Sequence, residues 1–154
     1  MKTLSFMFVL LSVLLAGCND DENAVGDKIL TFYLELTDES GNPIITDDEE
    51  AGAFPTLVTI PVSPSERHLN FQAAEARKGT DGRYYFGVTN HSASGDEYKF
   101  KLHSRGGING EYEFETSWNS VNLKSIKVNG SEITPGKISF DGKNYVSVSL
   151  RAVR

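Results

Sequence analysis

The chain has 154 residues, a net charge of −6, one cysteine and two methionines. A single cysteine excludes an intrachain disulfide, and an acidic balance without clustered Lys/Arg excludes a nucleic-acid surface. The length suits one domain with a substantial core and leaves little room for a second.

The chain begins with a short positive stretch, Met1-Lys2, and an almost unbroken apolar run from Leu4 to Ala16, and then reads Leu15-Ala16-Gly17-Cys18. Charged start, apolar middle and small residues at the end are the order of a secretory signal. The run is shorter than the roughly 20 residues that span a bilayer as a helix. The stretch resembles the bacterial lipobox, in which the cysteine thiol receives a diacylglyceryl group and the peptide before it is removed. The resemblance implies a mature chain that starts at an acylated Cys18 and is held to a membrane by lipid. One acyl chain anchors marginally, at about 0.8 kcal/mol per buried CH₂, and two or three anchor firmly. Asn19-Asp20-Asp21-Glu22-Asn23 resembles the acidic export signal of surface lipoproteins in Bacteroidetes, which implies the outer membrane with the domain facing outward. By composition alone the same residues are a solvated linker. Residues 1–17 thus read as a signal peptide, 18–28 as an acidic tether and 29–154 as the domain. From Asn19 to Glu50 eleven acids face one base, Lys28, whereas the rest of the chain is close to balanced.

Strict alternation dominates the domain. Leu30, Phe32, Leu34 and Leu36 share one parity, so this stretch predicts a half-buried strand. Asp38-Glu39-Ser40-Gly41-Asn42-Pro43 has turn chemistry, Thr46 to Gly52 reads as a loop, and Thr56 to Val62 reads as a second strand bounded by prolines. Ser63 to Lys78 supports two readings. A short helix has Ser63 as N-cap, Pro64 at N1, Glu66 closing a capping box and Gly79 past the end. A strand puts Leu69, Phe71 and Ala73 on one face. The two are nearly balanced, with the caps tipping toward the helix. From Arg83 on the pattern is strand and turn: Tyr84/Phe86/Val88, Tyr98/Phe100/Leu102, Tyr112/Phe114/Trp118, Ile126/Val128, Ile133 and Val146/Val148/Leu150. Asn129-Gly130 suits a two-residue hairpin. At Asp141-Gly142 a bulged turn is expected, because a two-residue turn sets Ile138 opposite Tyr145 and off the face of the valines. Glu111 to Thr116 should pair with Tyr98 to His103 in a register that opposes Lys99 to Glu115, Lys101 to Glu113 and His103 to Glu111. These strands together predict an all-β fold, a single antiparallel β-sandwich of transthyretin or immunoglobulin type, with at most one short helix at 63–78.

Three stretches carry a family resemblance: Leu34 to Ile44 with its Asp38-x-x-Gly41-x-Pro43 turn, Gly52-Ala53 ahead of Val58-Thr59-Ile60, and Gly79-Thr80-Asp81-Gly82-Arg83-Tyr84-Tyr85-Phe86-Gly87-Val88. They resemble the transthyretin-like carboxypeptidase-regulatory repeat, over roughly Leu30 to Val88. The resemblance implies a binding or structural appendage and not a catalyst, and analogy of fold alone does not assign function.

Searching for chemistry returns little. His68, His91 and His103 lack metal-ligand spacing, and no Gly-x-Ser-x-Gly is present. His91, Ser92, Ser94 and Asp96 read as a flexible polar loop, since a triad is a geometry and not a sequence neighbourhood. Asp47-Asp48-Glu49-Glu50 lacks the alternation and glycine of a Ca²⁺ loop and reads as a solvated charge run. No cofactor or metal is expected. Tyr33, Tyr85 and Tyr145 each sit on the parity opposite an apolar set, which predicts three outward rings suited to a sugar or a protein interface. The function that follows is a non-catalytic binding or accessory lipoprotein with a glycan, peptide or protein partner. The competing classes are a small hydrolase with a site built from distant residues and a structural subunit of an envelope machine.

Overall fold

The computed structural model describes residues 28–62 and 71–154. Cys18, the signal peptide and most of the tether lie outside the described residues, as does the 63–70 half of the predicted helix. The domain is all-β, two five-stranded sheets packed face to face. Its elements are β1 (Lys28–Thr37), α1 (Asp48–Ala53), β2 (Leu57–Pro61), β3 (Gln72–Lys78), β4 (Tyr84–Ala93), β5 (Glu97–Ser104), β6 (Tyr112–Asn119), β7 (Asn122–Val128), β8 (Ser131–Ile133), β9 (Gly136–Phe140) and β10 (Lys143–Arg151). One sheet has the order β3-β4-β1-β10-β9 and the other β2-β5-β6-β7-β8.

One pair departs from the antiparallel expectation: β1 and β10 run parallel at the centre of the first sheet, Tyr33 opposite Ser147 through Thr37 opposite Arg151. Two strands from opposite ends of the chain need no hairpin between them, so neither direction is imposed by a turn. The stretch 72–78 is a strand and not the end of a helix. Phe71, which leads into this strand, is fully buried against Phe100 (centroids 4.8 Å) and Trp118 (6.0 Å). Among the described residues a helix forms in the acidic run, where a loop was expected. Asp47 caps α1 by accepting from the Glu50 amide at 2.8 Å, and Glu50 reaches back to the amide and hydroxyl of Thr46 at 2.8 and 2.9 Å. Carboxylates in the first turn complement the positive end of the helix dipole.

The core between the sheets is aromatic. Phe32 is surrounded by Phe71, Phe100 and Phe114 at 6.1–6.5 Å, and the last two stack at 5.1 Å with a 7° interplanar angle. The β5–β6 hairpin has the predicted register, Phe100 opposite Phe114 and Lys99 opposite Glu115. Along it Lys101 skips its direct neighbour Glu113 and binds Glu111 on the diagonal at 3.0 Å, beside His103. His91 to Ala93 belong to β4, not to a loop, and the Asp96 carboxylate is bound to Lys28 at 2.8 Å.

The turn at Asp141-Gly142 is a two-residue turn with both φ angles positive (51° and 77°), and it does set Ile138 opposite Tyr145. No bulge intervenes, because Ile138 has a second core to fill. The β9–β10 hairpin folds across the outer face of its own sheet and reaches the β3–β4 turn, where Thr80 donates its amide to the Ser139 carbonyl at 3.1 Å. Gly79 makes this approach possible: a Cβ there would stand 2.7 Å from Ile138 Cδ1. Beneath the hairpin lie Tyr33, Tyr85, Ile138 and Phe140, all buried, with Tyr145 packed at their edge.

Candidate functional site

Tyr33, Tyr85 and Tyr145 do share one face, but they are not an exposed platform. Tyr33 is 9% and Tyr85 4% exposed, and Phe140 covers them, with centroids at 4.5 Å and 6.0 Å. Tyr145 packs edge-on against Tyr33 at 5.0 Å. The outward projection expected from parity is therefore corrected: the outer face has its own lid, Tyr33 and Tyr85 are interior groups and Tyr145 is half-buried at their edge. Burial raises the Tyr33 phenol above its ordinary pKa. The Tyr85 phenol is raised by burial and then by donation to Asp81 at 2.7 Å. The Asp48 carboxylate, accepting from Tyr84 at 2.6 Å, raises that phenol as well.

A pH prediction follows from these three directions. A phenol whose folded pKa exceeds the unfolded value of about 10 stabilises the fold fully below that value, and the contribution is lost as pH rises from there through the higher folded pKa. Unfolding midpoints should therefore fall above about pH 10. Tyrosinate absorbance should show a late class among the six tyrosines, merging with the early class on unfolding. Six phenols titrating together in the folded protein would contradict the buried arrangement.

A different place has the shape of a binding site. A cleft of about 460 Å³ opens between α1 with its exit segment (Asp48, Ala51, Gly52, Phe54, Thr56) and the outer half of β3 (Ala74 to Lys78), with Tyr84 and Phe86 of β4 beneath them. That volume lies in the range of small-ligand pockets, roughly 300–1,000 Å³. Local sequence explains the space. Ala51 and Gly52 on one wall and Ala74 and Ala76 on the other carry almost no side chain, and the β3–β4 register shifts between Ala73 and Ala76. Phe54 and Phe86, with centroids 5.4 Å apart, give it an apolar end.

The polar groups collect at the Tyr84 end. Its hydroxyl donates to Asp48, and the Lys78 ammonium lies over its ring, 5.4 Å from the centroid. Glu75 adds a second, exposed carboxylate with no ion-pair partner among the described residues. Arg77 lines the cleft only with its stem, since its guanidinium lies over Phe140 at 4.4 Å and binds Asp141 at 3.1 Å. The cleft thus has two carboxylates, one ammonium and an aromatic end, a set able to bind and orient a small amphiphile. Among the described residues no three His, Cys, Asp or Glu side chains converge as metal ligands.

Sequence reasoning missed this site for two reasons. The capping pattern at Asp47 and Glu50 was legible as a helix start, yet four acids in a row read as charge. The Ala73-Ala74-Glu75-Ala76 stretch is nearly balanced between helix and strand in the sequence, and the helix that its caps slightly favour removes a wall. No protein-family model matches the chain, and neither a curated protein nor a solved structure matches it.

Proposed function

We propose that this chain is a lipid-anchored envelope protein whose β-sandwich binds a ligand in the α1–β3 cleft without transforming it. The single observation that carries the reading is the cleft: small side chains open it, and Asp48, Glu75, Lys78 and Tyr84 converge on it. The Leu15-Ala16-Gly17-Cys18 stretch supports the anchor. The acidic residues after it support a surface position at the outer membrane. The Asp38 turn, where one carboxylate accepts from the amides of Ser40 and Asn42 at 2.9 and 2.8 Å, is in keeping with a transthyretin-like module.

Two measurements test this. Intact mass of the membrane-extracted protein is expected to show loss of residues 1–17 and acylation at Cys18. A free thiol there, or a retained leader, sinks the anchor. Amide chemical-shift mapping against a mixture of small amphiphiles is expected to move Ala51, Ala74 and Tyr84 together, and shifts confined to other surfaces sink the cleft.

A further inference from the structure

We infer that the α1–β3 cleft takes an alkylammonium group, and that Lys78 occupies this seat when the ligand is absent. The inference rests on the cleft being the binding site and names the chemistry it selects. The seat consists of the Tyr84 ring face, which attracts a cation through its quadrupole, and the Asp48 carboxylate fixed beside it by the Tyr84 hydroxyl. Lys78 reaches it from the next strand, directly opposite Tyr84 in the β3–β4 register. The molecule therefore already displays an ammonium on a four-carbon chain at this ring, outside ion-pair distance of Asp48, so an external ammonium could take up the carboxylate as well.

The surroundings favour the same charge. With Lys78 displaced, Asp48 and Glu75 are the charge-bearing residues left in the lining, since the Arg77 guanidinium is held over Phe140 and on Asp141. An anion would meet the acidic residues Asp48 and Glu75 of the lining. The apolar end at Phe54 and Phe86 suits the alkyl part of the ligand. Lys78 is an exposed side chain on an edge strand, so its departure costs little packing. It acts as an internal competitor: an external ammonium binds only to the fraction of molecules from which Lys78 has left, which weakens the apparent affinity by that fraction.

The test compares n-butylammonium, butyrate and 1-butanol by chemical-shift titration of the wild type, Lys78→Gln and Asp48→Asn. Butylammonium is expected to shift Ala51, Ala74 and Tyr84, with butyrate silent. Removing the competitor in Lys78→Gln should tighten binding by about 3–10-fold. Asp48→Asn, which keeps an acceptor for the tyrosine but not the charge, should weaken it by about 10-fold. Nα-acetyl-lysine amide is the second arm: tighter binding than butylammonium identifies a lysine side chain as the natural source, weaker binding a free amine. Equal responses to butylammonium and butanol overturn the ammonium seat while leaving the cleft as a binding site. Silence of the cleft toward all probes in all three proteins overturns both. Tightening absent from Lys78→Gln overturns the role of Lys78.

Discussion

Replacing Phe140 by alanine is expected to destabilise the domain by about 3–5 kcal/mol, the loss typical of a buried phenylalanine in a main core. A parity reading gives no hint of this, since Phe140 lies outside the space between the sheets. Yet it is 3% exposed, touches the rings of Tyr33, Tyr85 and Tyr145, and receives the Arg77 guanidinium on its face. Besides these, the hairpin tip is held by the buried Ile138 side chain, by Tyr145 packed on Tyr33, by one backbone hydrogen bond from Thr80 and by one exposed ion pair, Arg77–Asp141, which is worth little in water. Phe140 is the ring these contacts share, so Phe140→Ala should loosen the tip and not merely leave a hole. Amides of Lys143 to Val146 should exchange faster than those of Val148 to Leu150, and the Tyr85 phenol, held high chiefly by burial, should titrate earlier. Phe140→Leu, which keeps the tip covered, should cost about 1 kcal/mol. Urea unfolding of the two variants decides the matter. A loss below 1 kcal/mol for Phe140→Ala, with an unchanged Tyr85 titration, would mean that the hairpin is held by something else.

The same hairpin shows where pattern reading succeeds and where it ends. Between the sheets, alternation sufficed. Leu30/Phe32/Leu34, Phe100/Leu102 and Phe114 all face inward, and the Lys99–Glu115 register follows because a one-residue shift would expose the aromatics. Asn129-Gly130 formed its two-residue turn because both positions need positive φ, which Asn and Gly tolerate. Alternation identifies two faces but cannot say that both are covered. Tyr33, Tyr85 and Tyr145 were on the second face, and only the fold-back of β9–β10 turns that face into an interior. The expected bulge at Gly142 failed for the same reason. The Ser120-Val121 turn between β6 and β7 carries no Asn-Gly signal and takes its positive φ at a serine, which propensity does not forecast. The α1–β3 cleft lies where the acidic run meets residues 72–78, the two segments whose structure departs from the favoured reading.

Beside the buried tyrosines stands a buried carboxylate, and its neighbours yield the second large effect. The Glu35 side chain is 4% exposed on the covered face of β1, bound by Arg83 at 3.0 Å and by the Ser149 hydroxyl at 2.8 Å. Removing one partner of such a pair is worse than removing both, because the survivor keeps its desolvation cost without compensation. Arg83→Met is expected to cost about 2–3 kcal/mol, below the roughly 3–5 kcal/mol of a wholly buried pair because the Arg83 side chain is half in water. The double variant Glu35→Met/Arg83→Met removes the buried charge together with its partner and sets a methionine against Tyr85 and the β10 serines. It should be more stable than Arg83→Met alone and within about 1 kcal/mol of the wild type. Glu35→Gln, which preserves the Ser149 bond, should fall between them. Chemical denaturation of the four proteins at neutral pH, with Glu35→Met as a fifth to close the double-mutant cycle, decides the matter. If the double variant is less stable than Arg83→Met, the pair is a net source of stability, and the view that Arg83 serves chiefly to neutralise a carboxylate buried by the hairpin is wrong.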